Sequence, residues 1–333
     1  MKEDTVILVS SPFQTLNALE AISALNIDNP VFLILGNDVS AKMTGELVKK
    51  SGYSFECVSV LSSAFEIIKN CRKYGKHKRI IVGDYYSIPF FLMSMVMIVR
   101  GGHIVYVDDG NSTLSLLPPV SRKRLLFKNI IKQTFYNLLL IYKNSKHISR
   151  SYFTFYDVED RGFPFPVIKN NLTRMIQNIS VSPRDIYIIG TNTHQLQLTR
   201  AEYVYQLELI HNYVKVAYPG HRVFYCPHRR DLNQYDSDCE TLEISMYNTE
   251  ASVEIDFATN GIYPSVVIGF GSTALLTLKY IFPKSSIIDL VFHHRDDALV
   301  KEYRSIEQEY RKQGISVVEL EDLYKNNEHK INK

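Results

Sequence analysis

Short runs of Val, Ile and Leu recur along this chain, each followed by a segment of helical length, and that alternation limits its fold more than any other feature. In the first half the runs are Val6–Val9, Val31–Leu35, Cys57–Val60, Arg79–Val82 and Ile104–Val107. Between them lie Gln14–Leu25, Ser40–Ser51, Ser62–Tyr74 and Ile88–Arg100. The runs are apolar throughout rather than alternating, as strands covered on both faces must be. Strand and helix in turn predict a parallel sheet with helices on both sides. The rhythm breaks between Asp157 and Arg184, where GFPFP and VSPRD read as a linker, and then restarts. Strands are expected at Ile186–Ile189, Val223–Cys226, Leu242–Ser245, Val266–Ile268, Ser286–Leu290 and Val317–Leu320. Helices are expected at Thr199–Val216, Ser272–Phe282 and Asp297–Arg311. The α/β reading is therefore two doubly wound, Rossmann-like domains. The N-terminal one spans 1–160, the linker 161–184 and the C-terminal one 185–333. A length of 333 residues agrees with two domains. Ligands of such folds bind at the carboxyl ends of the strands, here expected to face a central cleft.

The composition excludes several classes. Hydrophobic residues are 45% and charged residues 22%, ordinary for a soluble globular protein, and a net charge of +3 is too small to point to nucleic acid. Cys57, Cys71, Cys226 and Cys239 form no C-x-x-C pair, which predicts reduced thiols in a cytoplasmic compartment. The opening MKEDTVILVSSPF carries acids where a secretory leader carries bases. The most apolar longer stretch, IPFFLMSMVMIV, is about 12 residues against the roughly 20 that span a bilayer, and reads as a buried helix.

Three motifs fall at predicted strand ends. YVDDGNST places Asp108 and Asp109 side by side before Gly110. Adjacent carboxylates raise each other's pKa, burial acts the same way, and a raised carboxylate is a better general base; the alternative is an ordinary Asp-Gly turn. FYCPHRRD places His228, Arg229 and Arg230 after a strand that Pro227 ends. Two arginines and an imidazole suit a phosphate and a departing oxygen, or else form a solvated basic loop. VVIGFGSTALL runs a strand into Gly269 and Gly271, with Ser272 and Thr273 at a helix start, which is either a phosphate seat or a simple N-cap. It lacks the third glycine of the dinucleotide fingerprint and the lysine of a P-loop. Together, a base on one domain and anion-holding groups on the other match a glycosyltransferase with a nucleotide-sugar donor and no metal.

This order of Asp-Asp-Gly, a strand ending in a His motif, and a Ser-Thr pair after a glycine turn resembles the bacterial sialyltransferases. It is most similar to the lipooligosaccharide sialyltransferases of glycosyltransferase family 52 and their capsule and O-antigen relatives. VSSPFQTLNALEA resembles the start of these enzymes. The resemblance implies the GT-B fold and inverting transfer from CMP-sialic acid to a galactose-type hydroxyl of a bacterial surface glycan, with no cofactor and no divalent metal. It implies Asp109 as the general base, tuned or oriented by Asp108. It implies His228 at the donor phosphate with Arg229 and Arg230, and Gly271, Ser272 and Thr273 at the same phosphate. Glu254, or in second place Glu250, would hold the ribose. Where the family usually has His-Pro, often with a Lys two residues ahead of the His, this chain has Arg229 after His228 and Cys226 before it. Gln14, Tyr85 and Ser87 are candidate acceptor contacts. The alternatives are a transferase using CMP-Kdo or another nucleotide sugar, and an inactive glycan- or nucleotide-binding protein.

Two further signals compete. Asp236-Ser237-Asp238 is a D-x-D in a predicted loop, a pattern that holds a divalent metal in another transferase fold but is common by chance, and His293-His294 with Asp296-Asp297 suggests a metal cluster or else lines the cleft or is solvated at the end of strand Ser286–Leu290. Ser121–Arg150 holds eight Lys or Arg and no acid, with apolar residues at helical spacing. Such a helix suits peripheral contact with the inner face of a cytoplasmic membrane, where a lipid-linked acceptor would be found, or is the basic outer face of a domain helix.

Overall fold

The computed structural model describes residues 5–36, 39–58, 76–110, 113, 116, 148–159, 162–172, 180–181, 184–191, 193, 198–228, 231, 234–249, 252–291 and 307–319. The chain divides into two compact units, Met1–Arg174 and Met175–Lys333.

The first unit carries a seven-stranded sheet in the order β3-β2-β1-β4-β5-β6-β7. The strands are β1 (Thr5–Val9), β2 (Val31–Leu35), β3 (Phe55–Val58), β4 (His77–Val82), β5 (Ile98–Val107), β6 (Ser149–Thr154) and β7 (Val167–Lys169). Every pairing is parallel. β1 lies between β2 and β4, and all five of its residues are buried, which is why TVILV has no polar alternation. Its period of two survives in the packing. Val6 and Leu8 join Leu33, Ile80, Val82, Ile104 and Tyr106 on one face, while Ile7 and Val9 join Phe32, Ile34, Ile81, Val105 and Val107 on the other.

The helices are α1 (Pro12–Ala24), α2 (Val39–Lys50) and α3 (Ile88–Met97). α1 starts on Ser11, whose side chain accepts the Gln14 N–H, with Pro12 in the first turn. α3 is the apolar stretch IPFFLMSMVM, capped by Ser87 and buried through Phe90, Met93 and Met97. It passes directly into β5, so this strand begins at Ile98, six residues earlier than its apolar run suggests.

The second unit repeats the plan with six parallel strands in the order β11-β10-β9-β13-β14-β15. These are β9 (Asp185–Ile189), β10 (Arg222–Cys226), β11 (Ser245–Met246), β13 (Val266–Gly269), β14 (Ser286–Val291) and β15 (Ser316–Glu319). A small pair, β8 (Ser180–Val181) with β12 (Ile262–Tyr263), stands apart. Its helices are α4 (Arg200–Ala217), α5 (Asp236–Thr241), α6 (Val253–Thr259) and α7 (Thr273–Ile281).

Three expectations change. The expected linker 161–184 holds β7, which belongs to the first sheet, and β8, which belongs to the second unit. GFPFP reads as a linker, yet Phe163 and Phe165 pack on Tyr152 and Tyr106, so aromatic burial outweighs the turn-forming Gly and Pro. The strand expected at Leu242–Ser245 is the two-residue β11, because Leu242 and Glu243 close the end of α5, with Glu243 at φ 57°. The D-x-D is not a loop but the first turn of α5, where Asp238 takes Arg200 at 2.7 Å.

Among the described residues no helix is long and apolar enough to cross a membrane. Residues 117–147 of the basic segment, His293, His294, Asp296 and Asp297 lie outside the described residues.

Candidate active site

In both sheets the strand order reverses between the sheet's first strand in sequence and its fourth: β1 and β4 in one, β9 and β13 in the other. In doubly wound sheets this is where ligands bind, beyond the carboxyl ends of the strands. Asp108, Asp109, His228, Gly271 and Ser272 stand just beyond the carboxyl ends of strands in the two sheets.

In the first unit Asp108 and Asp109 follow the last residue of β5, and Gly110 turns the chain at φ 61°. The two acids part at once. Asp108 is fully buried, and its Oδ2 accepts the Phe155 N–H at 3.0 Å, tying the end of β5 to the end of β6. Burial pushes this carboxyl up to about 7, while the Thr154 hydroxyl, the Phe155 N–H, the Thr113 hydroxyl and the Lys169 charge act in the other direction. The lift therefore comes from desolvation rather than from the adjacent acid. Asp109 is half-buried, and its Oδ1 accepts Gln14 Nε2 at 2.9 Å.

Below the pair runs a chain of amides. Asn17 Nδ2 donates to the Asp108 carbonyl at 3.3 Å, and Asn170 Nδ2 donates to Asn17 Oδ1 at 2.9 Å. Asn170 Oδ1 in turn accepts the N–H of Leu172, a non-glycine residue at φ 50°. These amides brace α1 and the segment after β7 against the end of β5. Sequence reasoning missed Asn17, Asn170, Thr113 and Thr154. Asn17 alone left a signal, as a polar residue on the buried side of an apolar helix.

The three acceptor candidates are placed differently. Gln14 is buried beside Asp109. Ser87 is the N-cap of α3, accepting from Phe90 N at 3.4 Å. Tyr85 packs edge-on against Tyr106 and Phe165, with its hydroxyl raised by burial and lowered by the Arg150 charge.

In the second unit His228 stands two residues beyond β10 and is half-exposed. Its backbone is held tightly. Gly190, just after β9, donates its N–H to the Cys226 carbonyl at 2.8 Å, and a side chain there would meet His228 N at 2.8 Å. The His228 carbonyl accepts Asp231 N at 2.7 Å, and Asp231 Oδ2 takes both the N–H and the hydroxyl of Thr193. Cys226, two residues ahead of His228, is a buried free thiol pushed up by burial, as is Cys239. Arg229, Arg230 and Glu250 lie outside the described residues.

The glycine turn after β13 leads to Gly271 at φ 57°, where only glycine is unstrained. Ser272 then caps α7, accepting Ala274 N at 3.3 Å, and Thr273 is the first helical residue, its side chain outside the described set. The turn is fastened from two sides. Asp289 on β14 accepts the Gly271 N–H at 2.6 Å, and the Tyr310 hydroxyl donates to the Ser272 carbonyl at 2.8 Å. Burial pushes Asp289 up to about 7, with the Gly271 N–H opposing, Glu307 adding and Arg311 opposing. Asp289 too escaped the sequence reading, although an acid inside the apolar strand SIIDLV is itself a signal. Glu254, in the first turn of α6, is buried and raised by desolvation, its own N–H and the Ser252 hydroxyl pulling the other way. Among the described residues no three His, Cys, Asp or Glu side chains group as a metal site.

The chain is similar to an α/β-galactoside α-2,3-sialyltransferase from the luminous marine bacterium Photobacterium phosphoreum. The TM-score is 0.60 at 14% identity, over 97% of this chain and 100% of that one. It is also similar to a sialyltransferase from Photobacterium damsela, with TM-score 0.56 at 14% identity over 95% of this chain and 81% of that one. The chain has the GT-B fold of these bacterial sialyltransferases. No family model and no curated protein matches it in sequence. At this identity the likeness is one of fold, two Rossmann-like units in succession.

Proposed function

We propose that this chain is a glycosyltransferase that moves sialic acid from CMP-sialic acid to a galactose-type hydroxyl of a bacterial surface glycan, with inversion and without a metal. The observation that carries the reading is Asp109, a half-buried carboxylate at the carboxyl end of β5, held by Gln14 in a fold shared with sialyltransferases. Asp109 takes the proton of the acceptor hydroxyl, and the oxygen attacks the anomeric carbon from the face opposite CMP. The bond from that carbon to the phosphate oxygen breaks, and CMP leaves with the electron pair. His228 and the N–H groups at the start of α7, beside Ser272 and Thr273, meet the charge that develops on the phosphate. Asp108 keeps the strand end rigid so that the base does not wander. Lipopolysaccharide, O-antigen or capsule as acceptor, lipid linkage and contact with the cytoplasmic face of the membrane belong to the same proposal.

The test is CMP release from CMP-sialic acid with a panel of galactosides and excess chelator, wild type beside Asp109→Ala. The expected result is chelator-resistant release that rises with one galactoside and falls about 10²- to 10⁴-fold in the variant, the usual worth of a general base. Release with CMP-Kdo alone would replace the donor sugar in this reading. Release abolished by chelator would sink the metal-free mechanism. Binding of CMP with no release from any donor would make the chain a binding protein.

A further inference from the structure

Gln14 sits in the third position of α1, and Ser11-Pro12-Phe13-Gln14 has the spacing of a capping box. In that motif the glutamine reaches back to the N–H of the cap residue. Here it reaches one residue further: Oε1 accepts both the Ser10 N–H at 2.8 Å and the Ser10 hydroxyl at 3.1 Å. A backbone N–H can only donate, so the amide orientation is fixed, and Nε2 is the end that faces Asp109, at 2.9 Å. The side chain is 3% exposed. Beneath it lies Gly83, immediately after β4, where an added Cβ would meet Gln14 Oε1 at 2.6 Å and its Cβ at 2.8 Å. The ends of β1 and β4 thus clamp one amide between them and aim its N–H at the carboxylate on β5.

We infer that Gln14 is a positioning residue for Asp109 rather than an acceptor contact, and that Gly83 is required to leave it room. The inference deepens the proposed function and rests on Asp109 being the base. An N–H donor stabilises the ionised carboxyl, so it keeps Asp109 ready to accept a proton and fixes the plane of the carboxylate.

Gln14→Leu removes the donor at similar volume. Its expected effects are a kcat about 10- to 100-fold lower, an acceptor KM within about threefold, and an acid limb of the pH–rate profile moved up by about one pH unit. Gln14→Glu sets a second carboxyl against Asp109, and the two share one proton. Its activity should return where that proton is held and fall on the alkaline side, where the wild type is flat. Gly83→Ala should reproduce the kcat loss with no change at residue 14. Carboxyl ¹³C NMR reads the contact without turnover, as an Asp109 titration that moves up in Gln14→Leu. An unmoved titration, or unchanged kcat and pH profile in an active enzyme, overturns the inference and leaves the proposed function standing. A moved titration in a protein that turns over no donor supports the contact and overturns the proposed function instead. Thermal melts of each variant separate a positioning effect from loss of fold.

Discussion

The carboxyl edges of the two units use one device in opposite senses. Each buries an aspartate that desolvation lifts to about 7 and ties it to a backbone N–H across to the neighbouring strand's end. In the first unit the aspartate follows the earlier strand and holds the later one: Asp108 after β5 accepts from Phe155 after β6. In the second unit the later strand reaches back: Asp289 on β14 accepts from Gly271 after β13. The consequence differs. Asp108 fixes a turn that carries another carboxylate, Asp109, the proposed base. Asp289 fixes the turn at the head of α7, the proposed phosphate seat. One topology, fastened the same way, carries a carboxylate at one strand end and a turn of backbone N–H groups at the other.

The sharpest way to break this comparison is to titrate it. A carboxyl raised from 3.8 to about 7 binds its proton more tightly in the folded protein than in the unfolded chain. Its contribution to stability is complete below the unfolded value and is lost as pH rises through the folded one. Over about three pH units that loss is about 4 kcal/mol per group. Asp108→Asn and Asp289→Asn keep an oxygen for the N–H and remove the titration. Each should flatten the decline in stability between pH 4 and 7, with little change at pH 4 and a gain above pH 7. Hydrogen exchange at Phe155 and at Gly271, corrected for its intrinsic pH dependence, reads the two sites separately. Equal flattening in both variants supports a shared device. Flattening at one site alone would make the likeness geometric only.

Why the fastening of these aspartates was hidden in the sequence, while the sheets were not, follows from range. The strands announce themselves because β1, β2 and β9 are covered on both faces and tolerate little except Val, Ile, Leu and aromatic residues. The far side of the first sheet is less uniform: β7, at the edge, is a three-residue VIK ending on an exposed lysine, and β6 beside it opens with an exposed serine and a half-buried arginine, so neither SRSYFT nor VIK reads as an apolar run. The Asp-Asp-Gly turn and the GFGST cap were legible as local chemistry. Their fastening was not, since Asp108 bonds a residue 47 positions on and Asn17 meets Asn170 across 153. Gln14 lies between these cases. SPFQ marks a helix start, but only the strand order brings Gly83 and Asp109 to its two sides.

A smaller effect separates the edges by function rather than stability. Ser11, after β1, and Ser272, after β13, are both N-caps at a strand-to-helix turn, accepting from Gln14 N and Ala274 N at the same 3.3 Å. Replacing either by Ala should cost about 1 kcal/mol, a few degrees in the melting temperature of its unit. The kinetic signatures should diverge. Ser11→Ala loosens Gln14 and so Asp109, and lowers kcat several-fold. Ser272→Ala loosens the candidate phosphate seat and raises KM for the CMP-sugar several-fold. Steady-state kinetics with each substrate varied decides this. The same signature from both variants would mean that the caps serve the helices alone.

The smallest expected effect tests where the two aspartates differ electrically. Asp289 has Glu307 raising it and Arg311 lowering it, whereas Asp108 has Lys169 lowering it. Glu307→Gln should lower the Asp289 midpoint by a few tenths of a pH unit, and Arg311→Gln should raise it by as much, leaving Asp108 where it is. Both changes should shrink between 0.01 and 1 M salt, as the Debye length falls from about 30 to about 3 Å. The midpoint is read from exchange at Gly271 across pH. If it ignores both substitutions and salt, burial alone sets Asp289, and the second unit's fastening is as insulated from charge as the first's. If it follows them, the anion-holding edge is the one tuned by surface charge, in keeping with a turn whose proposed ligand is itself charged.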